Sequence, residues 1–142
     1  MIYSHNVPTF RIDDSGLLDE SYPVTYLTSA APRVPYVKKT EPHRLNEIDT
    51  LLKERIRRIL QVAVKYKHRV LVLGAFGCGC FANDPKSVAS WFHEFLTTTY
   101  RDVFECVVFA VYVPQGGRTT NYDVFQNQFS ELVTPVLVSD AQ

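Results

Sequence analysis

The sequence has no excess charge of either sign, with 15 Lys and Arg against 15 Asp and Glu. That balance argues against a dedicated electrostatic grip on DNA or RNA. No stretch approaches the ~20 consecutive apolar residues that a membrane-spanning helix needs. The opening Met1-Ile-Tyr-Ser-His5 lacks the basic and apolar regions of a signal peptide, and the chain holds no Asn-x-Ser/Thr acceptor. Cysteine is scarce: Cys78, Cys80 and Cys106 are the only three. An odd count without a secretion signal implies reduced thiols and an intracellular setting, cytoplasmic or nuclear. Cys78-Gly-Cys80 is too closely spaced for the usual zinc pair, and no second Cys/His pair follows it. Neither a metal nor any other cofactor is therefore expected. Internal repeats and low-complexity linkers are absent as well, and 142 residues suit a single domain over 1–142.

What is present centres on Val70-Leu-Val-Leu-Gly-Ala-Phe-Gly-Cys-Gly-Cys-Phe-Ala-Asn-Asp-Pro85. The unbroken apolar start reads as a strand buried on both faces. Asp84 followed by Pro85 reads as a helix start, with Asp at the N-cap and Pro at N1. Between them, Gly77 and Gly79 lack a Cβ and let a ligand approach the main chain. A strand, a glycine loop and a helix N-terminus form a setting for capturing phosphate by backbone N–H groups. The other reading is a tight strand-to-helix turn with glycines chosen for packing. No Gly-Lys-Ser/Thr follows, so this is no Walker loop, and the glycine spacing does not fit the dinucleotide fingerprint.

Around this stretch the pattern predicts an irregular strand over 2–12, a turn at Asp13-Asp-Ser-Gly16 and a short strand over Val24–Thr28. Ser29–Pro35 should leave regular structure because of its prolines. Leu45, Ile48, Leu52, Ile56, Ile59, Leu60 and Ala63 give one apolar stripe on a helix from about Pro42 to Tyr66. Lys53, Arg55, Arg57, Arg58, Lys65 and Lys67 lie mainly off that stripe and read as a solvated face rather than a nucleic-acid helix. A second helix is expected over 85–97, with Val88, Trp91, Phe92, Phe95 and Leu96 inward. A second buried strand is expected over Phe104–Val113, then a flexible loop over Pro114–Thr120. A last helix would carry Tyr122, Phe125, Phe129 and Leu132, capped near Thr120 or Asn121. The tail from Pro135 reads as a short strand or a strap. This order is that of α/β layering.

Leu73-Gly-Ala-Phe-Gly-Cys-Gly-Cys-Phe-Ala-Asn-Asp-Pro85 resembles the second ligand loop of microbial-type poly(ADP-ribose) glycohydrolases, which are macrodomains. Gly77, Cys78, Gly79 and Phe81 stand at matching places, and Ala82 replaces a usual glycine. Tyr3-Ser4-x-x-Val7-Pro8-x-Phe10-Arg11, the strand running into Thr28-Ser-Ala-Ala-Pro32, and Val107-Val-Phe109-Ala-Val111 followed by Asn121-x-x-x-Phe125 resemble further parts of the family's C-terminal portion. The resemblance implies a minimal or truncated macrodomain-like three-layer α/β/α sandwich that recognises ADP-ribose or an ADP-ribosylated protein. It implies a ligand-binding set of Gly77, Cys78, Gly79, Cys80, Phe81, Ala82, Asn83, Thr28, Pro32, Phe109 and Asn121. In it Gly77–Phe81 offer N–H groups to the diphosphate, and Phe81 packs on the distal ribose. Thr28 and Pro32 form the opposite wall. Phe109, with Tyr112 or Asn121, borders the adenosine half, with core packing the alternative for Phe109.

One family signature is not found. The hydrolases carry Gly-Gly-Gly and then Gln-Glu-Glu, whose glutamates act on the ribose–ribose bond. Here the only Gly-Gly is Gly116-Gly117, and Gln-Glu-Glu does not occur. Asp19-Glu20 reads as turn solvation. Three readings follow: an ADP-ribose binder, a glycohydrolase acting with replacement groups, or a structural remnant serving assembly. A family strand that would lie among those kept here is also lacking, so an exposed edge at Val70–Leu73 predicts a homodimer.

Overall fold

The helix that organises the core is α2, Ile48–Lys65, and its apolar stripe has the expected spacing: Ile48, Leu52, Ile56, Leu60 and Ala63 are buried. The structure, a computed structural model, describes residues 1–11, 16–113 and 120–132. These fall into two compact units, Met1–Ala30 and Ala31–Gln142.

The first unit is an antiparallel ribbon of β1, Ile2–Arg11, and β2, Leu17–Thr28. A register shift between Ser4 and Val7 contains Asn6 at φ 51°, the left-handed conformation that Asn tolerates best after Gly. β2 is longer than the strand expected from Val24. Pairing with β1 carries it through Pro23, which sits opposite Pro8, so local preference set its end too late. Asp19 and Glu20 accordingly lie in a strand, not a turn. Most of the expected turn at 13–16 lies outside the described residues.

The second unit opens with α1, Val34–Thr40, where the prolines had argued against regular structure. Pro35 stands in the first turn of this helix, where the missing N–H costs nothing. A 3-10 helix, Pro42–Glu47, leads into α2, so the long helix starts at Ile48 and Leu45 stays exposed. Then come β3, Val70–Leu73, α3, Pro85–Thr97, β4, Cys106–Phe109, and α4, Thr120–Phe129. β3 and β4 pair in parallel across α3, with Val70 opposite Cys106 and Leu73 opposite Phe109. Leu52, Ile56, Leu60, Val88, Phe92, Phe95 and Phe125 form one core, on which Leu71, Leu73 and Phe109 pack from the strands. Burying each large apolar side chain there contributes about 1.5–3 kcal/mol.

The α/β class is the expected one. The two strands, however, are not buried on both faces. Val70 is 59% and Val72 72% exposed, and Cys106 and Val108 beside them are exposed too. The described helices pack their apolar faces against one side of this pair, and an apolar run cannot tell one covered face from two. β4 also ends at Phe109, four residues short of the expected Val113. Of the basic residues on α2, Arg57 and Arg58 donate to Glu54, and Lys53 donates to Glu94. Hydrogen bonds from Arg57 and Arg58 hold the Glu54 carboxyl at about 2. These pairs are the solvated face that the spacing predicts. Gly116-Gly117 and the tail from Pro135 lie outside the described residues. Among those described, no helix is long and apolar enough to cross a membrane.

Candidate functional site

The segment from Gly74 to Asp84 folds back on itself between β3 and α3. Its end is fixed by the N-cap expected at Asp84, whose carboxylate accepts from the N–H groups of Lys86 and Ser87 and from the Ser87 hydroxyl. Partial desolvation pushes this carboxyl up, but the bonds from Ser87 and the two amides outweigh it and hold the pKa below the ordinary carboxylate value. Pro85 follows in the first turn.

Asn83 closes the loop. It is 5% exposed, and its Nδ2 donates to the carbonyls of Gly77 at 2.8 Å and Pro32 at 2.9 Å. The opposite amide orientation would set its oxygen against two carbonyl oxygens, so the donor assignment follows from the chemistry. Its Oδ1 is buried without a partner. Its own N–H donates to Gly77 O at 3.1 Å. Gly77 has φ +76°, and a Cβ there would sit 2.6 Å from both Ala31 Cβ and Asn83 Nδ2. Two residues before Phe81's carbonyl partner, Val34, the chain is held again: Val34 N donates to Phe81 O at 2.9 Å while Pro32 holds Asn83. Ala82, at φ +55°, adopts the left-handed conformation in which a glycine would be relaxed.

These bonds sort the predicted loop residues. The N–H of Cys78 donates to Ala75 O at 3.0 Å and that of Ala82 to Gly79 O at 2.9 Å. Cys78, Ala82 and Asn83 therefore have their amides committed inside the loop. Asn83 in particular is a clamp, since its side-chain donors are committed as well. Among the described residues, the N–H groups of Gly77, Gly79, Cys80 and Phe81 take part in none of the loop's hydrogen bonds. A Cβ on Gly79 would meet nothing within 4 Å, so this point of the loop faces open space. The Cys78 thiol is buried, and burial pushes it up to about 11. It stays protonated at neutral pH and acts as a small packing group. Cys80 is exposed.

The remaining predicted residues are distributed unevenly. Pro32 is at the loop through its carbonyl, and Asn121 on α4 reaches it through a long hydrogen bond from Nδ2 to Cys78 O, 3.4 Å. Thr120 and Asn121 both lie within α4 rather than before it. Phe109 points into the core, its ring 4.6 Å from Phe129, 5.2 Å from Phe125 and 5.4 Å from Phe92. It packs in the core, one of the two readings of its place in the sequence. Tyr112 is exposed. Thr28 ends β2 in the first unit, opposite Ile2, with its side chain exposed. A separate groove of about 790 Å³ runs between α3 and α4, lined among others by Lys86, Ser87, His93, Asn127 and Gln128. None of the predicted residues lines it. Among the described residues no cluster of His, Cys, Asp and Glu is arranged to hold a metal.

Sequence reasoning missed two features. Asn83 carries the loop's closure, and the only hint was its place directly before the Asp-Pro cap. The 32–34 segment braces the loop from across the chain, which no local pattern encodes.

No family model and no curated protein matches the chain. Among solved structures it is similar to poly(ADP-ribose) glycohydrolase from Deinococcus radiodurans in complex with ADP-ribose, at 38% identity and a TM-score of 0.86, over 92% of this chain and 52% of that one. The apo form of the same enzyme matches at 39% identity and a TM-score of 0.84, over 94% and 54%. The glycohydrolase from Thermomonospora curvata matches at 39% identity and a TM-score of 0.79, over 89% and 46%. The chain thus has the mixed α/β fold of these macrodomains and is related to them, and it spans about half of their length.

Proposed function

We propose that this chain is an ADP-ribose-recognising macrodomain of the poly(ADP-ribose) glycohydrolase family, binding the diphosphate at the Gly77–Phe81 loop. The observation that carries this reading is the run of unpaired N–H groups at Gly79, Cys80 and Phe81, in a loop whose every other amide from Cys78 to Asn83 is internally bonded. Consecutive free amides ahead of a helix N-terminus favour an anion. Similarity to an enzyme solved with ADP-ribose supports that anion as the diphosphate of ADP-ribose. The half-buried Phe81 ring packs on the distal ribose, and Asn121, already beside Cys78, borders the adenosine half. The partner is ADP-ribose itself or a protein that carries it. Calorimetric titration is expected to show saturable one-to-one binding of ADP-ribose, tighter than that of AMP or ATP. No heat with ADP-ribose, or a preference for ATP, would reject the reading.

The protein is also expected to form a homodimer. Val70, Val72 and Val108 are exposed side by side on one face of a parallel strand pair, a kind of sheet ordinarily covered on both sides. Among the described residues β3 pairs only with β4, and the strand carries no Lys or Pro to guard its other edge. Light scattering at micromolar concentration should give twice the chain mass. A sharp mass near 16.2 kDa, unchanged on tenfold concentration, would remove the dimer.

A further inference from the structure

The loop offers amides to a diphosphate but little net positive charge. The N-terminus of α3 contributes roughly half an elementary charge. The ionised Asp84 cap, which holds that terminus, carries a full negative charge at the same place. A cation elsewhere in the fold adds to the hold on a ligand with two phosphate charges.

Arg33 is placed to supply it. Its two neighbours are both bonded to the loop: Pro32 O accepts from Asn83 Nδ2 and Val34 N donates to Phe81 O, each at 2.9 Å. Arg33 thus has its backbone pinned between two hydrogen bonds to the loop, in an extended conformation at φ −95°, ψ 97°. Its side chain is exposed, and among the described residues it makes no ion pair, unlike Arg44, Arg57, Arg58, Arg69 and Arg101. An unpaired guanidinium on a rigid base presents a planar fork suited to phosphate oxygens. Among the described residues Lys86 is a further exposed cation near the loop, but its backbone N–H is already bonded to the Asp84 carboxylate, and the residue lines the groove between α3 and α4.

We propose that Arg33 is a specificity-determining residue that contacts the diphosphate of the ligand and selects pyrophosphate-bearing nucleotides at the Gly79–Phe81 amides. This rests on the ADP-ribose reading above and adds to it the cation that the loop lacks. The test is calorimetric titration of the whole chain with ADP-ribose at low and high salt, using wild type, Arg33→Gln, Arg33→Lys and Lys86→Gln. Arg33→Gln should lose about tenfold or more in affinity and show a shallower salt dependence, with an unchanged melting temperature. Arg33→Lys should recover part of the loss, because charge is restored and the fork is not. Lys86→Gln should lose much less. Equal affinity of Arg33→Gln and wild type would overturn the assignment, as would equal losses in Arg33→Gln and Lys86→Gln, which mark a diffuse field. Failure of wild type to bind ADP-ribose would instead reject the ligand, an outcome distinct from a silent Arg33.

Discussion

The isolated chain should release ADP-ribose from poly(ADP-ribose) about 10²–10⁴-fold more slowly than a complete bacterial glycohydrolase, the range expected when a general acid is missing. Glycoside cleavage requires a carboxyl held near the leaving oxygen with its proton available, and so a raised pKa. The Gln-Glu-Glu that the family resemblance implies for this role is not found in the sequence. Among the described residues, the carboxyl groups whose pKa is displaced are displaced the wrong way. Asp84, nearest the loop, lies below the ordinary value and has its oxygens engaged by the α3 cap. Glu54 is held at about 2 by its arginines and sits on the outer face of α2. Chromatographic measurement of released ADP-ribose by pure protein decides. Turnover equal to a complete family member would show that a replacement carboxyl works in this chain, and would move it from the binders to the enzymes.

Gly79→Val is expected to abolish ADP-ribose binding, a loss of a hundredfold or more, and to leave the melting temperature within a degree or two. A Cβ at Gly79 meets no protein atom within 4 Å, so the fold has no objection to it. On the proposed reading, the diphosphate approaches this open point of the loop, and a branched side chain there blocks it. Gly77→Ala should do the opposite. Its Cβ meets Ala31 Cβ and Asn83 Nδ2 at 2.6 Å, on a backbone with φ +76°. Left-handed strain and overpacking together destabilise it by about 2–3 kcal/mol, which lowers the melting temperature by several degrees. Thermal melts and titrations of the two variants separate the loop's ligand face from its structural face. Wild-type affinity in Gly79→Val would show that the ligand does not approach there.

The sequence made some of this legible. Asp84-Pro85 marks the start of α3 because an N-cap acceptor followed by proline satisfies a helix N-terminus locally. The α2 stripe is legible for a similar reason, since helical periodicity needs no partner to be read. Features that depend on distant residues were not. Pro35 beside Pro32 reads as a breaker, although in the first turn of α1 the same proline starts a helix. The exposure of Val70 and Val72 depends on what covers the sheet, and their β-branched chemistry is the same either way. Within the site, residue type marks Gly77–Phe81 as a loop that admits close approach, but not which amides remain free. That depends on how the loop folds back on itself: the amides of Cys78, Ala82 and Asn83 reach the carbonyls of Ala75, Gly79 and Gly77. Phe109 was ambiguous for the same reason: its partners Phe125 and Phe129 arrive from α4.

A nitrogen–proton NMR titration of the labelled chain decides whether ADP-ribose sits on the free amides of this loop. On adding ADP-ribose, the amide resonances of Gly79, Cys80 and Phe81 should move most and saturate at one equivalent. The Ala82 and Asn83 amides, already donating to Gly79 and Gly77, should move less. Spectra that do not change, or shifts confined to the groove between α3 and α4 with the loop silent, would contradict it.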